Sequence, residues 1–231
     1  MKFQQESRVG EDSVPLRNTA YDRLLDSIIF GELQPGSSAD EKFLAEHLGI
    51  GVAAVRDALY RLSLEGIVER QPRIGTRITD LGLREMQDVF EARVLIEGGC
   101  ASLAAERADA DDIAAMTAAL DGFEGVIERR EFRVLVGMDQ RFHRALAAAT
   151  KNRQIERKVV QLHDAACRFW YFGLQRMEMR VILADIAAHL DVVAAIERRD
   201  AAGAGSAMRA VLGHFPDTVR FFFSTSSLPV A

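Results

Sequence analysis

Two sets of residues in this sequence have the types and spacing to do chemistry. The first is Asp139 with His143, four residues apart and therefore on one face of any helix that carries them. His189 and His214 fall on two later helical stretches that a bundle can bring alongside. One carboxylate with three imidazoles suits a borderline divalent ion such as zinc, nickel or manganese. The same four residues could instead line a polar cavity, satisfying one another or holding a small ligand directly. Arg93 has two readings as well: its guanidinium can clamp a carboxylate bidentately, or pair with Glu97 one helical turn on.

The second set lies within 39–79, where Lys42, Arg56, Tyr60, Arg73, Gly75 and Thr76 could meet a nucleic acid. Phe43, Leu44 and Leu48 are spaced for one side of a short helix, and Gly49-Ile50-Gly51 interrupts the period. A second helix follows, with Val55, Leu59 and Leu62 as its apolar stripe and Ala53, Arg56 and Tyr60 opposite. After Gly66 the period becomes that of strands, 67–70 and 76–79, joined by Pro72-Arg73-Ile74-Gly75 as a basic turn. Helix, turn, helix and two-stranded wing is the layout of a winged helix-turn-helix, whose second helix enters the major groove. Arg56 is then expected to reach bases or phosphates, Lys42 a phosphate, and Arg73 with Gly75 and Thr76 to form the wing contact. For Lys42, Arg70 and Arg77 an ordinary solvated charge is the competing reading.

Elements that must position these residues follow from the rest of the chain. Ala20, Leu24, Leu25, Ile28 and Ile29 make one stripe within 16–30, a first helix beneath the other two. Residues 1–13 read as a disordered arm, 14–79 as the winged helix-turn-helix domain, and 80–231 as a helical domain. Asp80 is placed to cap the first helix of that second domain. Helices are expected over 83–107, 110–130, 134–150, 152–172, 180–198 and 200–224, an antiparallel all-α bundle. The aromatic cluster 168–172 with Trp170 walls the cavity or belongs to core or dimer face; Phe221-Phe222-Phe223 is core or interface. His163 has no evident partner in the sequence.

Bulk properties narrow the classes. The 231 residues are 48% hydrophobic, enough for a sizeable core, so a fibrous or disordered chain is excluded. No run approaches the roughly 18 apolar residues of a membrane span, and 1–13 lacks the apolar core of a signal peptide. A cytoplasmic address is expected. Cys100 and Cys167 lack metal-site spacing and are expected as buried thiols. The net charge is −5, yet 52–79 holds five Arg against three acids, a local excess suited to DNA if two copies bind together.

The 39–79 run resembles the DNA-binding domain of GntR-type bacterial transcription regulators. Leu44-Ala45-Glu46-His47-Leu48-Gly49, Val55-Arg56-Asp57-Ala58-Leu59, Leu62, Glu65-Gly66-Ile67-Val68 and Gly75 carry the likeness. The Gly31–Gly36 stretch with Leu33 and Pro35 extends it. Where the family opens its second helix with a guanine-reading Arg, this chain has Val52 within Gly51-Val52-Ala53-Ala54, so that base contact is absent. The helical half resembles the FCD effector domain of the FadR-like subfamily, through Arg93 and Glu97 in 91–97, Asp139-Gln140-Arg141-Phe142-His143 and His189 to Ile196. That resemblance implies a homodimeric regulator of a palindromic double-stranded operator, modulated by a small effector. The effector is expected to be an organic acid held by Arg93, Asp139, His143, His189 and His214, with a divalent ion on an Asp and three His. Counted without gaps from His189, the last ligand position falls on Val211, and His214 is three residues or about 4.5 Å of rise beyond it. An insertion near Ala201–Gly205 would bring His214 into register. Two other classes stay in view: a metal-dependent helical hydrolase, which lacks H-E-x-x-H and a general base, and a sensing or oligomerisation module without DNA binding.

Overall fold

Local chemistry sets the first elements of the computed structural model, which describes 20–71, 73 and 75–225, with side chains as far as 213. Helix α1 (Ala20–Ile29) buries Leu24, Leu25, Ile28 and Ile29, and α2 (Glu41–Leu48) starts where the Asp40 carboxylate accepts the Phe43 amide at 2.8 Å. Gly49, at φ 62°, ends α2 in the left-handed conformation that a side chain would resist. Helix α3 (Val52–Leu64) then turns Val55, Leu59 and Leu62 inward, all fully buried, and leaves Ala53, Arg56 and Tyr60 outside. Strands β1 (Val68–Gln71) and β2 (Gly75–Ile78) pair antiparallel, Val68 opposite Ile78 and Gln71 opposite Gly75. Residues 37–39 lie along β2, since Ala39 N–H donates to the Thr76 carbonyl at 2.8 Å and Ile78 N–H to Ser37 at 2.9 Å.

The helical part follows: α4 (Leu83–Arg107), α5 (Ala110–Ala119), α6 (Phe123–Glu128), α7 (Phe132–Ala149), α8 (Arg153–Leu174), α9 (Met179–Glu197) and α10 (Ala201–Thr225). The architecture is mainly helical, a winged helix-turn-helix followed by a helical bundle. Helix α4 is its axis, packing on α7, α8, α9 and α10. It meets α10 closely because both carry glycine at the crossing: a Cβ on Gly205 would stand 2.9 Å from the Gly98 carbonyl oxygen. Asp109 caps α5 through a capping box, and Asn152 caps α8 by accepting the Gln154 and Ile155 amides. The head and bundle touch through Phe30 edge-on to Tyr171 at 5.1 Å, Glu32 paired with Arg133 at 2.8 Å, and Arg168 on Thr79.

Three local expectations are corrected. Phe43 is 60% exposed and stacks on His47, so the buried side of α2 is Leu44 and Ala45 with Leu48 partly covered. Asp80 does not cap α4; Gly82 does, without a side-chain bond, and Asp80 is held by Arg77 instead. The single helix expected over 110–130 is two, because Gly122 at φ 72° breaks it. Gly203 and Gly205 lie within α10, in the helix expected over 200–224. Residues 1–19 and 226–231 lie outside the described residues, as do the side chains of Phe221, Phe222 and Phe223.

Candidate functional site

The bundle buries an unusual density of charge where α4, α7, α8 and α9 converge. Helix α7 supplies Asp139 and His143 one turn apart, α9 supplies His189, α4 supplies Arg93 and Glu97, and α8 supplies His163; all are buried. His143 Nε2 lies 3.3 Å from His189 Nε2 and 3.6 Å from Asp139 Oδ1, and His189 Nε2 lies 3.4 Å from that same oxygen. Three donors at ~2.1 Å around one ion stand about 3.0–3.4 Å apart, so the triangle is close to that of a divalent-metal site.

Each donor is oriented from behind. The Glu97 carboxylate holds His143 at Nδ1, which leaves Nε2 facing the centre. His189 Nδ1 donates to the Asp185 carbonyl at 3.0 Å, so its Nε2 also points inward, with its lone pair toward His143 Nε2. His163 Nε2 donates to Asp139 Oδ2 at 2.8 Å, turning Oδ1 toward the two histidines. Such supporting partners fix tautomer and ring orientation at metal sites. Arg93 satisfies the ion-pair reading, with Nε donating to Glu97 Oε1 at 2.6 Å, while its Nη2 reaches within 3.4 Å of His143 Nε2.

Electrostatics follow from burial against pairing. Burial works against an imidazolium at His143, but Glu97 and Asp139 overcome it and raise its pKa to about 9. Burial and the His143 charge push His163 down to about 3; burial chiefly pushes His189 down to about 4. Burial would raise Glu97 and Asp139, but Arg93 with His143 holds the former, and His143 with His163 the latter, well below the carboxylate range. Asp185 is lifted to about 7 by burial and by Asp139. A cavity of about 30 Å³ opens onto this cluster, lined also by Phe90, Cys167, Trp170, Val211 and Leu212. Trp170 therefore walls it, and Phe169 is core.

The sequence-predicted Asp139, His143, His189 and Arg93 thus come together. His214 belongs to α10, but its side chain lies outside the described residues; Val211 lines the cavity. The sequence reading left His163 unpartnered. The signal was available: His163, Cys167 and Trp170 at i, i+4 and i+7 form a stripe on α8 that faces the cavity. Asp185, one turn before His189, was passed over in the same way.

On the head, Glu41 at the start of α2 gathers the basic residues, with Arg56 Nη2 at 2.8 Å and Arg70 Nη2 at 3.9 Å. Arg56 is 61% exposed at its side chain, and Arg70 lies over the exposed Tyr60 ring at 5.9 Å. Lys42 is exposed beside Glu41. Arg73 is exposed in the wing turn at φ 67°, Gly75 follows at φ 126°, and Thr76 is half-buried. Val52 occupies the first position of α3, 37% exposed. Cys100 and Cys167 are buried thiols outside any disulfide, as expected.

Comparison with known proteins accords with both halves. The model of bacterial regulatory proteins of the gntR family matches residues 16–78, and that of the FCD domain matches 88–214. The HTH-type transcriptional repressor GlaR of Escherichia coli is 28% identical over 200 residues, covering 82% of this chain and 89% of that protein. The HTH-type transcriptional regulator LutR of Bacillus subtilis is 26% identical over 216 residues, covering 84% and 96%. Among solved structures, McbR/YncC of E. coli shares the fold with a TM-score of 0.77 at 19% identity, over 88% of this chain and 96% of that one. These relatives are transcription regulators rather than enzymes, which removes the hydrolase alternative. Among the described residues no helix is long and apolar enough to cross a membrane.

Proposed function

Since the chain belongs to the gntR family of bacterial regulatory proteins, as an FCD-domain member and a DNA-binding transcription regulator, we propose how it does this work. The head, residues 14–79, reads a palindromic operator as one half of a homodimer in the cytoplasm, and 80–231 forms the effector-binding and dimerisation domain. Arg56 and Tyr60 on α3 meet the major groove, Lys42 holds a phosphate, and Arg73 with Gly75 and Thr76 makes the wing contact. Arg56 exchanges its Glu41 partner for DNA, a small loss because that pair is exposed. The observation that supports an effector site is the cluster of Asp139, His143 and His189, each with an orienting partner, beside a guanidinium.

These residues fit a divalent ion of the zinc, nickel or manganese kind, which would supply a positive anchor for a carboxylate. Asp139, His143 and His189 are the donors; His214 is kept as a fourth donor for mutational test. Arg93 offers its remaining N–H groups to the same carboxylate, so the effector is a small organic acid. By linkage, whatever the bundle binds must change operator affinity if the sites are coupled. The test is a gel-shift titration on operator DNA, footprinted upstream of the protein's own gene, with and without nickel and with a panel of short carboxylic acids. A nickel- or acid-dependent shift in affinity is the expected result; tight binding with no change in DNA affinity removes the coupling.

A further inference from the structure

The two oxygens of Asp139 have different surroundings. Oδ1 faces His143 and His189 at 3.6 and 3.4 Å, whereas Oδ2 accepts His163 Nε2–H at 2.8 Å. We infer that His163, on α8, is the positioning residue that turns Asp139 toward a bound divalent ion while staying outside the donor set itself. This rests on the metal reading proposed above. Both ring nitrogens of His163 are occupied, since Nδ1 lies 3.3 Å from Cys167 Sγ and accepts its thiol proton. The nitrogen that faces the site therefore has no lone pair to give. Its service is needed because the terminal torsion of an aspartate is broad and roughly two-fold. At a buried carboxylate, one hydrogen bond to Oδ2 selects the orientation that presents Oδ1.

The arrangement repeats what surrounds the other donors. Glu97 from α4 holds His143, and the Asp185 carbonyl of α9 holds His189. Each of the three donors thus has its own support, and for Asp139 alone that support comes from α8. The stretches that carry the bundle's resemblance, 91–97, 139–143 and 189–196, leave out position 163.

Nickel affinity of the full-length protein, measured by competition with a chromophoric chelator, tests this, with cobalt absorption reporting the coordination sphere. His163→Leu removes the hydrogen bond and His163→Asn holds an amide too short to reach; both are expected to weaken nickel by about 10–100-fold. His163→Gln carries an amide N–H about as far as Nε2, and should stay within about threefold of the unaltered chain with its cobalt spectrum intact. If Gln weakens binding as much as Leu and changes the cobalt spectrum, His163 is a donor and the inference is overturned. Equal affinity in all variants overturns it as well, leaving only packing at this position. Should the Leu variant not fold, the Gln and Asn pair decides. An unaltered chain that takes up no metal brings down the metal reading and this inference together; metal uptake indifferent to position 163 removes the inference alone.

Discussion

At the scale of single residues, Arg56 and His143 carry the two sharpest expectations. Arg56→Ala should weaken operator binding by about 1–3 kcal/mol, read as the shift of midpoint in a gel-shift titration. Because the Arg56–Glu41 pair is exposed, the same change should leave thermal stability nearly unaltered. Three buried imidazoles make the metal-free protein pH-sensitive in two directions, His143 in one and His163 with His189 in the other. Its folded pKa of about 9 exceeds the ordinary 6.5, so its contribution is full below about 6.5 and is lost as pH rises through 9. His163 and His189 are depressed to about 3 and 4, so theirs is full above 6.5 and is lost as pH falls. Melting in chelator should therefore peak near neutrality, and His143→Gln should flatten the alkaline limb. Metal on Nε2 must displace that proton, so nickel affinity should climb with pH toward 9. At this scale the sequence revealed Asp139, His143 and Arg93, whose motif spacing is local. The stripe on α8 marks His163 as inward-facing but not its partner, because the bond to Asp139 spans 24 residues and two helices.

Elements were legible where a cap or a period announced them. Expected bounds of 83–107 for α4 match its observed ends, and α7 to α10 fall within two residues of theirs, with Asn152 and Asp200 marking the starts of α8 and α10. The split between α5 and α6 was missed because alanine-rich segments keep a helical period across a break, and only Gly122 signals it. Phe43 was misplaced because apolarity was taken for burial, whereas α2 rests on α3 along Leu44 and Ala45. Within α10, Gly205 serves the close approach to α4. Gly205→Ala would set a Cβ 2.9 Å from the Gly98 oxygen on α4, a backbone atom that cannot swing aside. About 1–3 kcal/mol of destabilisation is expected, visible as a lowered midpoint in thermal unfolding. Gly213, with nothing near its Cβ position among the described residues, should accept alanine without loss and serves as the control.

Across the whole molecule, α8 joins the two halves. One face of it carries His163, Cys167 and Trp170 into the cavity, and one residue past Cys167 the Arg168 guanidinium grips Thr79 at the end of the wing. Arg168 donates to the Thr79 hydroxyl at 2.9 Å and to its carbonyl at 2.6 Å, and is itself buried with Glu85 at 3.7 Å. Burial lowers its pKa, with Glu85 offsetting part of that. Arg168→Met keeps the bulk and removes the grip. Calorimetry should then resolve head and bundle as two transitions, where a single unsplit transition would show that the grip does not hold them together. None of this was legible beforehand, because a contact across 89 residues leaves no periodic trace. The chamber beside the histidines has another outcome for kinetics. At about 30 Å³ it seats an ion or a water, and a carboxylic acid has to extend beyond it. Such a guest is expected to displace Val211 and Leu212 of α10, which line the chamber. Admission is then gated by the protein's own breathing, and the observed on-rate should level off at high guest concentration rather than rise without limit.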